Sequence, residues 1–126
     1  MSRLHLTERA LADIEHIEAF SVERWGRRVA DGYLDDLNDA LTRLEENLDL
    51  FATRPDYEGR LRFYRVRKHV LIGDVIAGTG YVLSVWHGSM DFVGRLAELE
   101  PSLLSEAAIL ARRIEEGRSE SGSSGR

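Results

Sequence analysis

A histidine that closes an apolar alternation, with a run of arginines upstream of it, is the arrangement in this chain that could do chemistry. His87 ends the stretch SVWH and is followed by GSMD, while LRFYRVRKH, with Arg60 just before it, carries Arg62, Arg65, Arg67 and Lys68. An imidazole near guanidinium groups could cleave RNA: Arg62 and Arg65 would hold and neutralise the phosphate while His87 moves protons to or from the 2′ oxygen or the leaving group. Such chemistry needs a second proton-transfer group. Tyr64 and Tyr81 qualify only if strand register brings them to His87, and Glu58 sits on a loop that the sequence does not place. The plainer reading makes His87 a strand-end histidine whose ring nitrogen bonds backbone at the turn. Asp91 then reads as a helix N-cap and Met90 as core filler. Arg60, Arg62, Arg65, Arg67 and Lys68 read either as a solvated sheet face or as a binding surface.

Other chemistries find no residues to carry them. The chain has no cysteine, which removes disulfides, thiolate catalysis and sulfur-based metal sites, and a reducing compartment fits. The four histidines, His5, His16, His69 and His87, match no metal-ligand spacing, and no HExxH cluster is present. The glycines of AGTG join two strands rather than a strand and a helix, so they form no phosphate loop. No metal or cofactor is expected.

The elements that must position His87 follow from periodicity. Leu4 and Leu6 alternate with Arg3 and His5 as in a short strand, and Thr7 reads as the N-cap of a helix over 8 to about 24 with Leu11, Ile14, Ile17 and Phe20 on one stripe. Gly26 ends it. Ala30, Leu34, Leu37, Leu41, Leu44, Leu48 and Phe51 recur at steps of four and three, predicting a second helix of about seven turns from near Arg27 to near Phe51. The short Trp25-Gly26 break predicts an antiparallel hairpin. A heptad-like stripe also suits a coiled coil, but one this short more often faces its own domain's core.

After a loop at 53–60, strands are predicted at 61–66, 69–76 and 81–87, with AGTG at 77–80 as a hairpin connection. If Leu61 and Phe63 face the helical hairpin, Arg62 and Tyr64 face solvent. The order is β-α-α-β-β-β, an α+β fold in which an antiparallel helical hairpin lies across a small, mostly antiparallel sheet. Pro101 reads as the start of an additional C-terminal helix with Leu103, Ala107, Leu110 and Ile114 on one face, and Gly117 as its stop. The expected organisation is a domain over 1–100, an amphipathic helix over 101–117 that packs back on it, against the hairpin or in a dimer, and a disordered tail over 118–126.

Length and charge agree with one soluble domain. The 126 residues are 43% apolar and 31% charged with a net charge of −5, which weighs against nucleic-acid binding. Its distribution is uneven. Twelve acids face five arginines between Thr7 and Phe51, whereas five bases and no acid lie between Arg60 and His69. No export signal or membrane span is legible, so a cytoplasmic location and no membrane partner are expected.

The order of elements, the second helix beginning VADGYLDDL, the proline-containing loop leading into LRFYRVRKHVLIGDVI, and the closing VWHGSMD together resemble the RelE/ParE superfamily of bacterial type II toxin-antitoxin toxins. The resemblance covers about residues 3 to 95 and is closer to the ParE branch. It implies a growth-inhibiting toxin neutralised by a small cognate antitoxin protein, alone as a homo-oligomer or in a toxin-antitoxin hetero-oligomer. RelE-like members cut mRNA on the ribosome, with clustered basic residues and a histidine, tyrosine or glutamate near the end of the last strand; ParE-like members lack such a set and act on DNA gyrase. Here Arg62, Arg65 and His87 match part of a nuclease set, but Gly88, Ser89 and Met90 follow His87 with no tyrosine or glutamate. The ending and the acidic charge favour the gyrase-binding branch, with no catalytic residue of its own. The ribosome-dependent nuclease and a decayed, non-toxic binding module stand as alternatives. In such a family the acidic antitoxin segment would lie over Arg60, Arg62, Arg65, Arg67 and Lys68. The C-terminal helix departs from the family, whose cores end soon after the last strand.

Overall fold

The computed structural model describes residues 3–88 and 91–124, the last seven by backbone alone. The expectation for Met90 therefore lies outside the described residues. The chain forms β1 (Leu4–Leu6), α1 (Glu8–Trp25), α2 (Arg27–Glu46), a 3-10 turn (Leu48–Leu50), β2 (Arg62–Val66), β3 (His69–Ile76), β4 (Thr79–His87) and α3 (Phe92–Ser124). The four strands make one open sheet in the order β1-β4-β3-β2, antiparallel except where β1 runs parallel to β4. This is the expected α+β architecture.

Gly26 alone joins the first two helices. Its φ of 90° is one that a glycine adopts without steric cost, and it serves as the C-cap of α1 and the residue before α2. Ala10, Ala30 and Ala40 are fully buried, so the hairpin backbones and the sheet approach closely. Leu37 and Leu44 fill the space between, each contributing about 1.5–3 kcal/mol by burial. The second helix is shorter than its stripe suggested. Asn47 leaves helical geometry and its side chain accepts the Asp49 N–H, so Leu48 and Phe51 reach the core from a 3-10 turn and the extended residue after it.

Because β1 has only three residues, the outer edge of β4 would be left with unpaired backbone groups beyond Val82. Residues at the start of α1 supply the partners. Thr7 caps α1 by accepting the Ala10 N–H, and its hydroxyl donates to the Leu83 carbonyl. The Asp13 carboxylate accepts both the Val85 N–H at 3.0 Å and the Ser84 hydroxyl at 2.6 Å, and Ser84 in turn accepts the Trp86 indole N–H. A register shift at Ile72/Gly73 accompanies these contacts. Gly73 is needed there, since a Cβ would stand 2.5 Å from the Tyr81 carbonyl oxygen and 2.6 Å from the Phe51 ring.

The two sheet faces are the reverse of the sequence expectation. Val66, Leu71, Val82 and Val85 meet the α1/α2 hairpin with Tyr64 beside them, whereas Leu61, Phe63, Ile72, Leu83 and Trp86 face α3. Arg62 and Tyr64 therefore belong to the hairpin side, and the Tyr64 hydroxyl accepts from Arg43 Nε of α2. Alternation tells which residues share a face, but both faces here are apolar. The β3–β4 turn is only Ala77 and Gly78, at φ 51° and 80°, so Thr79 and Gly80 join β4 instead of lying in a four-residue connection.

The additional helix packs back on the domain, on the sheet face opposite the hairpin. Leu103 and Ala107 are fully buried and Leu110 and Ile114 pack at the margin, as their spacing predicted. It starts earlier than expected, at Phe92, with Asp91 as the N-cap accepting the Gly94 N–H. Pro101 lies inside the helix rather than at its start, and the helical backbone passes Gly117, where a stop was expected, into the presumed tail as far as Ser124. An interior proline costs about 3 kcal/mol in an isolated helix. Here the buried Phe92 and Leu96 before it and Leu103 after it hold both halves on the sheet.

Candidate functional site

The ends of β3 and β4 bring two histidines together. His69 and His87 are register partners, and their rings meet edge to face with centroids 5.2 Å apart. Tyr33 of α2 reaches across from the hairpin and hydrogen-bonds His69 Nδ1 through its hydroxyl. The Lys68 backbone also hydrogen-bonds the Tyr33 oxygen. Burial, aided by the neighbouring His87, pushes the His69 pKa down to about 4. Burial likewise raises the Tyr33 hydroxyl, opposed by the Lys68 hydrogen bond and the Arg67 guanidinium.

The residues singled out as a second proton-transfer group lie elsewhere in the fold. His69 Nδ1 is engaged by Tyr33. Tyr64 is bound by Arg43 on the hairpin side. Tyr81 lies six residues up β4, about 20 Å along the strand at ordinary strand rise. Glu58 precedes β2, at the end of that strand away from His87.

The basic stripe is divided. Arg62 pairs with Gly73 in register, four residues from the Val66–His69 end, about 13 Å along the strand, and its guanidinium bonds the Arg60 carbonyl. Arg60 forms an ion pair at 3.0 Å with the buried Asp74. Arg67, at φ 54° in the β2–β3 turn, pairs with Asp36 at 2.8 Å and lies over the Tyr33 ring. Arg65 and Lys68 come to the His87 end: a Cβ on Gly88 would be 3.1 Å from Arg65 Nη1 and 3.3 Å from the Lys68 carbonyl oxygen. Arg65 and His87 are brought together, and Arg62 is not.

Beside His87 and His69 opens a groove of about 340 Å³ between the last turns of α1 and the β2–β3 turn. Ile17 and Ser21 form part of its buried lining, the half-buried Tyr33 adds to it, and His16, Phe20, Arg24, Trp25 and Lys68 stand exposed around it. Sequence reasoning missed this groove and its link to His69. Phe20 was read as part of the buried stripe, yet it is 52% exposed. The available signal was Trp25, a large aromatic beside the helix-ending glycine where a polar residue would serve the turn better.

Comparisons with known proteins agree with this architecture. The sequence pattern of the family described as the ParE toxin of the type II toxin-antitoxin system, parDE, matches residues 4–92. A solved structure titled as the chromosomal ParDE TA system from P. aeruginosa superposes with a TM-score of 0.61 at 20% identity, over 69% of this chain and 96% of that one, which is a likeness of fold. No curated protein sequence matches the chain. The β1-to-β4 core with its hairpin is what the family pattern spans, and it ends where α3 begins. The chain belongs to the ParE toxin family of type II toxin-antitoxin systems.

Proposed function

We propose that this protein arrests bacterial growth by binding DNA gyrase in the cytoplasm, and that a cognate antitoxin neutralises it. The observation that carries the reading is the arrangement of the His87 end in a ParE-family chain: Tyr33 occupies His69 Nδ1, and Arg62 lies about 13 Å along the strand from that end. A nuclease needs an acid and a base at the scissile phosphate, so this arrangement supports a toxin that works by binding. Antitoxin neutralisation would use the basic stripe, with Arg65 and Lys68 nearest His87, Arg62 at the far end of β2, Arg60 just before it and Arg67 in the β2–β3 turn.

Inducible expression in a bacterial host tests the reading. Growth should stop, and co-expression of the short reading frame adjoining the gene should restore it. Uninterrupted growth would make the protein a decayed binding module. Arrest accompanied by ribosome-dependent mRNA cleavage that disappears in His87→Ala would replace gyrase binding with endonuclease action.

A further inference from the structure

Both faces of the sheet are closed by the chain itself, by α1 and α2 on one side and α3 on the other. An apolar surface nevertheless stays open at the end of α1. Phe20 and Trp25 are each 52% exposed and meet edge to face with ring centroids 5.9 Å apart, at the rim of the groove that leads to His69 and His87. Two large rings left half in water beside a formed cavity mark a surface that another molecule covers. The groove's charge selects that molecule. Arg24 and Lys68 line it with no carboxylate among its described lining residues, and Glu23 stands beside Arg24 only on the outer side of the Phe20–Trp25 rim, in a chain whose net charge is −5.

We infer that this groove is a docking site for a segment of a protein partner that carries an apolar side chain next to carboxylates and, resting on the reading above, that the segment belongs to the antitoxin. The apolar side chain enters between Trp25 and Phe20. The neighbouring carboxylates meet the Arg24 guanidinium and the Lys68 ammonium, and the His69 ring lies deeper in the groove. A nucleic acid is the poorer occupant. The α1/α2 hairpin beside the groove holds half of the chain's acids, which repel an extended polyanion, whereas a peptide with one or two carboxylates meets only the local bases.

The test is calorimetric titration of the full chain with the purified product of the adjoining reading frame, alongside Trp25→Ala, Lys68→Glu and a control, Arg112→Glu, on the exposed side of α3. Trp25 contacts Phe20 at the surface, so thermal melting should show an intact fold in its variant. Loss of an interface tryptophan commonly weakens binding by about thirtyfold or more, and that loss is expected for Trp25→Ala, with a comparable one for Lys68→Glu and none for the control. Tight binding by Trp25→Ala overturns the groove, whether or not Lys68→Glu weakens, because Lys68 also belongs to the basic stripe. Failure of the unaltered protein to form any complex overturns the antitoxin reading and this inference with it.

Discussion

The α1/α2 hairpin and α3 cover opposite faces of the same sheet by different means. The hairpin approaches through small residues, Ala10, Ala30 and Ala40, and is hooked to the edge of β4 by the Thr7 hydroxyl and the Asp13 carboxylate. The face under α3 is packed with rings: Phe63 and Phe92 meet edge to face, Trp86 lies against Phe92, and the Arg54 guanidinium sits 4.6 Å from the centre of the Phe92 ring. Its ion pair to the hairpin, Arg9–Glu106, is partly exposed and worth little by itself. One face is thus specified by close approach and directional hydrogen bonds, the other by apolar area. The first lies inside the family pattern, whereas most of α3 lies outside it.

This contrast is broken most severely by removing residues 101–126. Leu103 and Ala107 leave the core and the rings beneath them meet water, so stability should fall by about 5 kcal/mol, with loss of solubility. An unchanged melting temperature and oligomeric state would show that α3 is a passive addition. On the other face, Asp13→Ala removes two acceptor contacts at once and strands the Val85 N–H and the buried Ser84 hydroxyl. The expected loss in chemical denaturation is about 2 kcal/mol, and a loss below about 0.5 kcal/mol would mean that the hook is ornamental.

A smaller effect probes the His69 end. His69 binds fewer protons folded than unfolded between pH 6.5 and about 4, so its contribution is present above pH 6.5 and lost as the pH falls towards 4. After discounting for half-burial, this amounts to about 1–2 kcal/mol. His69→Gln should flatten that part of the stability profile relative to the unaltered protein. Parallel profiles would show that His69 is not held neutral. Smallest of all, Trp25→Ala should change folding stability by less than about 0.5 kcal/mol, since its ring is half in water.

Much of this was legible in the sequence, and the exceptions share a cause. The stripe from Ala30 to Phe51 and the alternations of β2 to β4 gave the elements, because period alone identifies them. Which face of β2 met the hairpin could not be read, since Phe63 and Val66 are equally apolar and the choice depends on α3. Pro101 misled because local propensity marks a helix start, while the burial of Leu96 and Leu103 on either side overrides it. The position of His87 at a strand end was legible. Its surroundings were not, since the Tyr33–His69 bond joins residues 36 apart and the Asp13–Ser84 bond residues 71 apart.

The central claim, a toxin that acts by binding without chemistry at His87, is tested most directly by DNA supercoiling with purified gyrase, the protein and its His87→Ala variant. The account predicts that both proteins inhibit supercoiling to a similar degree. Gyrase that supercoils normally in excess of both would contradict it.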